Sequence, residues 1–314
     1  LAEIDSIASN PQAPTFENTL VALEKSGRLL ERANNVFNLL TGANTNPTLQ
    51  KVQEEIAPKM AAHRDALFLN GKLFERVKAI YQSDEVKKMD AEPQKLAKYY
   101  YDEFILSGAR LSEADKARLK KFNEEEASLA ARFTNKLLAA AKNAPLVVDN
   151  ENALAGMSEA ELNAAKKNAD DAGKAGKYLI TLQNTTQQPE LKSLQNRETR
   201  KKLFDLSWNR AERSDSNDTR STINRIAQIR SEKAKLLGYK NFAAWTLQDQ
   251  MAQTPEAVDA FLGKLVPAAT AKARNEATEI QALINQQKGG FKLEAYDWDF
   301  YAEQVRKAKY DLDE

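Results

Sequence analysis

The feature that most restricts the fold is a capped stripe of apolar residues at helical spacing, repeated along the chain. Its longest instance starts at Ser112, which forms a capping-box pair with Asp115 three residues on. Leu119, Phe122, Leu129, Phe133 and Leu137 then share one face. The spacing predicts a helix near 113–142, roughly 45 Å long at ~1.5 Å per residue. A chain built from such pieces buries its stripes only by packing helix on helix, so the expected class is all-α, a multi-helical array of long antiparallel helices.

The other stripes agree. Residues 1–9 read as the end of a helix stopped at Asn10-Pro11, and Thr15 caps the next. Leu20, Leu23, Leu30, Ala33, Phe37 and Leu40 predict one continuous helix that Gly42 ends. Asn46-Pro47 opens a stripe through Leu49, Val52, Ile56, Met60, His63 and Leu67, with a kink expected at Pro58. Shorter helices follow through Phe74 and Val77, and from Pro93 to Gly108. Adjacent helical residues point ~100° apart, so Tyr99, Tyr100 and Tyr101 cannot form one stacking platform. The run Glu124–Glu126 reads as a solvated face.

The texture changes after 143. Leu146-Val147-Val148 and Tyr178–Leu182 are short β-branched runs that predict at most one β ribbon near 146–182. Ser158 and Glu161 form a capping box between them, and Thr186 to Pro189 reads as a turn. The expected division is a helical subdomain over 1–143 and a second over 144–314, with a hinge near 144–190.

Chemistry is limited by what is missing. The chain has no cysteine and one histidine, His63. Thiolate chemistry, Cys-ligated metals, an HExxH pair and His₂Glu or His₃ zinc sites are therefore impossible within it. His63 sits on an apolar stripe and reads as a core side chain. No Gly-rich phosphate loop is present, and Gly289-Gly290 matches no such pattern. With Lys+Arg 46 against Asp+Glu 45, the balance makes no case for nucleic acid or a membrane surface. No apolar run reaches the ~20 residues of a membrane helix.

The one strongly charged stretch is Arg197–Lys235, with 11 Lys and Arg against 6 Asp and Glu. It offers two readings. One is a patch for anionic groups. The other, favoured here, is helix faces whose arginines pair with Glu198, Asp205, Glu212 and Glu232. From the residues alone the chain is helical and has no recognisable active site.

Resemblance adds more. IRSEKAKLLGYKNFAAWTL, DQMAQTPEAV and YDWDFYAEQVRK follow one another as in the thimet-oligopeptidase family of zinc metallopeptidases. The chain most resembles its peptidyl-dipeptidase branch, and NPQAPTFENTLVALEKSG, LNGKLFERV, LAGMSEAEL and LQNTTQQPEL agree in the same order. The family motif is HExxH plus a further glutamate, and no position here matches it. The resemblance implies an N-terminal helical portion of such an enzyme, one wall of a channel admitting short unstructured peptides. The full-length parent would remove C-terminal dipeptides by attack of a zinc-activated water, with the zinc domain following residue 314. No catalytic or metal residue is expected in this chain, which is expected to be inactive alone. Arg210, Arg213, Asn217 and Arg220 are the candidate channel-facing groups. Gly238, Tyr239, Tyr296, Asp297, Trp298 and Tyr301 match family signatures and read as packing.

The expected partners are short peptides and the missing catalytic domain. Starting at Leu1 and ending in KAKYDLDE, the chain reads as a fragment. The cytoplasm is the expected compartment, with periplasm or secretion left open. The competing reading is a free-standing helical peptide-binding or scaffold module.

Overall fold

The structure is a computed structural model that describes residues 1–183, 185 and 187–310. In chain order the helices are α1 (Ala2–Ala8), α2 (Ala22–Lys25), α3 (Arg28–Ala43), α4 (Pro47–Phe68), α5 (Gly71–Gln82), α6 (Asp84–Lys87), α7 (Ala91–Leu106) and α8 (Glu113–Asn143). The strand β1 (Leu146–Val148), helix α9 (Glu159–Asp171) and strand β2 (Tyr178–Ile180) follow. Then come α10 (Arg197–Trp208), α11 (Arg220–Leu236), α12 (Phe242–Thr246), α13 (Pro255–Gln286) and α14 (Trp298–Tyr310). The class is all-α, as the stripes predict.

Several sequence signals act as expected. The Asn46 side chain accepts from Leu49 N at 3.0 Å and starts α4, and Ser158 and Glu161 close the capping box of α9. The two short runs pair antiparallel, Leu146 opposite Ile180 and Val148 opposite Tyr178. The second strand stops at Ile180, not Leu182. Of the turn expected at Thr186–Pro189, Thr186 lies outside the described residues, and Pro189 begins a 3₁₀ turn.

One expected helix is two. Thr15 caps a π-helical turn, Phe16–Val21, which runs into α2 and breaks at Ser26-Gly27, where Gly27 takes φ +72°. Helix α3 then runs through Gly42 to a stop at Asn44 and buries none of its residues. Leu29 is 79% exposed and Leu39 69%. The stripe had recorded which residues share a face, not whether anything covers that face.

The chain forms two compact units, Leu1–Phe133 with Thr222–Thr254, and Thr134–Ser221 with Pro255–Glu314. The division expected at 143/144 is contiguous, whereas these units each draw on two stretches and part inside α8 and inside α11. Periodicity within a helix carries no mark of a boundary there, because one continuous hydrogen-bonded rod serves both sides.

In the first unit α5 packs on α7. Leu20, Leu73, Val77 and Phe104 are fully enclosed, and Phe68 meets Phe104 edge-on at 5.2 Å. Arg76 ties the loop after α1 to this core, donating to Thr19 Oγ1, Asn10 O, Gln12 O and Asn18 Oδ1 at 2.8–3.2 Å. In the second unit α9 lies along β2 over a core of Leu146, Leu154, Ile180, Leu194 and Leu203. Helices α13 and α14 close around Ile280, Ile284 and Tyr301.

Candidate functional site

The basic stretch resolves into three local arrangements. In the second unit, Arg210 donates from Nη1 to Gln183 O at 3.0 Å and Thr185 O at 2.8 Å. Arg213 Nη2 reaches Leu206 O at 2.6 Å, and Arg213 borders an open groove of about 680 Å³ with Pro145, Leu146 and Lys202. Asn217 donates its backbone N–H to Asp215 Oδ1, and Arg220 grips Asp218 through Nε at 3.1 Å and Ser214 Oγ through Nη2 at 2.9 Å. Hydrogen bonds from Arg220 hold the Asp218 carboxyl well below the usual carboxylate range. Arg210, Arg213 and Asn217 therefore share the loop that runs into α11, Arg220 is the first residue of that helix, and the three guanidiniums fasten the loop.

The second arrangement surrounds Asp297, which is wholly enclosed. Arg197 donates to both its oxygens at 2.8–3.2 Å, and Arg200, itself buried, donates to Oδ1 at 3.0 Å. Arg200 also holds Leu194 O at 2.7 Å and Gln195 O at 3.0 Å. Rings enclose the pair of cations. Arg197 lies 3.9 Å from the Phe291 centroid and 4.9 Å from Tyr296, and Arg200 lies 4.2 Å from Phe300 and 5.8 Å from Tyr301. Trp298 packs on the Ile280 and Ile284 cluster. The signature at 296–301 thus forms a buried ion cluster joining α10 to the start of α14. Gly238, at φ +86°, ends α11 and lets Tyr239 N reach Ala234 O at 2.8 Å, a Schellman stop.

The third arrangement was not visible in the sequence. In the first unit a cleft of about 350 Å³ opens between α4, α8, α11 and α12. Its apolar lining includes Phe68, Leu119, Ala127 and Trp245. Asp65 lies in it, only 6% exposed, with Oδ1 accepting from Asn123 Nδ2 at 2.6 Å and Oδ2 buried without a partner. Burial pushes the Asp65 carboxyl above its ordinary value, against the Asn123 hydrogen bond and the fields of Lys233 and Lys120. Beside it Glu126 accepts from Lys233 at 2.8 Å and Arg230 at 2.7 Å. Glu125 takes a two-pronged bond from Arg225 at 2.6 and 2.7 Å. Of the glutamate run expected to face solvent, Glu124 is exposed, whereas Glu125 and Glu126 form the acidic side of an α8–α11 seam. Of the partners expected for the arginines, Glu232 lies 3.8 Å from Arg225, while Asp205 and Glu198 pair with Lys201 and Lys202.

His63 is half-buried on α4. Among the described residues, no three His, Cys, Asp or Glu side chains gather where they could hold a metal ion. The residues present do not fit the zinc that the resemblance implies. Among the described residues, no helix is long and apolar enough to cross a membrane.

Residues 190–314 match Peptidase family M3. Over 313 residues, 100% of its length, the chain is 48% identical to dipeptidyl carboxypeptidase of Escherichia coli (strain K12). The chain resembles peptidase family M3. A second relative, dipeptidyl carboxypeptidase of Salmonella typhimurium (strain LT2), is 46% identical over 312 residues, 99% of this chain. Oligopeptidase A of Haemophilus influenzae is 25% identical over 315 residues, also 99% of this chain. The chain spans 46% of the length of each of these three relatives. The Asp297 cluster lies within the M3-matching residues. The Asp65 cleft draws most of its lining from residues before them.

Proposed function

We propose that this chain is the N-terminal helical part of a zinc metallopeptidase that removes C-terminal dipeptides from short peptides, and that it is inactive alone. The observation carrying this reading is the 48% identity to a dipeptidyl carboxypeptidase along the whole chain, over less than half of that relative's length. The zinc, its ligands and the attacking water belong to polypeptide outside residues 1–314, and no residue here takes part in that step. This part borders the path along which a short peptide reaches the metal. The loop 209–220 faces that path, with Arg210, Arg213 and Arg220 keeping its shape through their bonds to carbonyls and Asp218. The full protein works on peptides in the cytoplasm.

The test is an assay of the 314 residues on a blocked tripeptide with added zinc. No turnover above background is expected. Turnover abolished by a chelator would overturn the claim of inactivity. Mixing or co-expressing the chain with the part of the Escherichia coli relative outside the aligned region is expected to restore release of the C-terminal dipeptide. Failure of every such pairing, with both parts folded, would count against this chain as the complementing half.

A further inference from the structure

The two-stranded ribbon of the second unit leaves one edge without a neighbouring strand. Helix α9 covers the outer edge of β2, where Asn168 Nδ2 donates to Leu179 O at 3.5 Å. Leu179 O thus turns away from β1, and the ladder bonds fall at Leu146–Ile180 and Val148–Tyr178. Opposed residues of an antiparallel pair alternate between exchanging both backbone bonds and exchanging neither. Val147, opposite Leu179, therefore aims its N–H and C=O away from β2. Among the described residues the ribbon has no third strand, and no backbone group bonds Val147 on that side. Unpaired groups of this kind are a template for another strand.

That edge opens on the groove of about 680 Å³. Val147 and Pro145 border it on one side, and α10 with the loop after it borders the other. Two of the three charged side chains lining it are matched: Lys202 to Glu198 at 2.8 Å, and Asp205 to Lys201 at 2.6 Å. Arg213 is different. Leu206 O fixes its Nη2 at 2.6 Å, and among the described residues no carboxylate pairs with it. A guanidinium held in this way keeps the rest of its fork for a carboxylate. The groove thus offers a backbone donor, a backbone acceptor and an uncommitted cation. An extended acidic peptide complements all three. Its main chain is taken up by β1, so the group left to meet Arg213 across the groove is a side chain. We propose that an extended acidic peptide segment adds as a strand to the Val147 edge of β1, with one of its Asp or Glu side chains accepting from Arg213. Pro145 has no N–H to give and ends the added ladder on its side, so the pairing is short. The proposal concerns residues of the second unit alone and does not rest on the chain's reading as part of a peptidase.

The experiment is ligand-observed NMR titration of the 314-residue chain with three capped pentapeptides. They are acetyl-Thr-Val-Glu-Val-Thr-amide, its Gln counterpart, and the Glu peptide with its backbone amides N-methylated. The Glu peptide is expected to bind saturably, with Kd on the order of millimolar for so short a segment. The other two are expected to bind about tenfold more weakly, one lacking the charge and the other the backbone donors. Val147→Pro removes the outward N–H and leaves the bonds to β2, a position where an edge strand tolerates proline. It is expected to weaken the Glu peptide about tenfold. Arg213→Gln is expected to weaken the Glu peptide and leave the Gln peptide unchanged, a difference that general loosening of the loop would not produce. The comparisons among peptides need no variant, so the test survives if either variant fails to fold. Equal binding of the Glu and Gln peptides, undiminished binding of the N-methylated one, Glu-peptide binding unchanged in either folded variant, or no saturable binding would overturn the proposal. Dimerisation of the unliganded chain that Val147→Pro abolishes would assign the edge to a second copy and overturn it as well.

Discussion

At the residue scale Asp65 and Glu126, which line the same cleft, behave in opposite ways. Burial raises Asp65, and the facing charges of Lys233, Lys120 and Glu124 leave it above its ordinary 3.8. A carboxyl raised in the folded state binds its proton more tightly there than when unfolded. Stability is therefore lost as pH climbs from about 4 through the folded pKa. Asp65→Asn removes that loss, so its urea midpoint relative to wild type is expected to be higher at pH 7 than at pH 4. An unchanged difference between the two pH values would refute this. Glu126 runs the other way. Burial alone would raise it, but hydrogen bonds from Lys233 and Arg230 win and hold it low. Its contribution is present above the unfolded pKa and fades as pH falls through the folded one. Asp297 anchors two arginines without exposure, and removing it strands Arg200 in the core. Asp297→Ala is expected to cost about 3–5 kcal/mol, the range for breaking a buried pair from one side. Denaturant unfolding followed by Trp298 fluorescence checks it.

At the element scale, caps and stops were legible because they are local. Asn46, Ser112, Ser158 and Gly238 each act within three or four residues of themselves. The break at Ser26-Gly27 was missed because an apolar stripe continued across it, and a glycine inside such a stripe has two physical readings. Long-range backbone contacts leave still less trace. Gly156 takes φ +97°, and a Cβ there would lie 2.1 Å from Ser193 O, where Gln195 N also reaches Ala155 O at 2.8 Å. Gly156→Ala is expected to destabilise the second unit by more than about 2 kcal/mol, from strain and backbone collision together. A thermal melt within a degree of wild type would contradict it.

At the scale of the whole molecule, burial divides the chain unevenly. Helices α5 and α10 carry fully enclosed Leu73, Val77 and Leu203, while α3 buries nothing. Local opening is easiest where few apolar contacts resist it. Hydrogen exchange is expected to be early in 28–43 and late in 71–82 and 197–208. Equal protection of α3 and α5 would show that something covers α3 in solution. The units share α8 and α11, so no cut in the sequence separates them.

By itself the sequence determined the helical class, most helix ends, the ribbon and the impossibility of a family-type zinc site with one histidine. These follow from periodicity, capping and residue counts, which need no knowledge of neighbours. It also carried the ordered segments that resemble peptidase family M3. Only the tertiary structure decided which charges meet. Asp297 lies 97 residues from Arg200, and Glu126 lies 107 from Lys233. The orphaned oxygen of Asp65 depends on Asn123, 58 residues away. Charge pairing acts through space over a few ångströms, and sequence separation carries no measure of that distance.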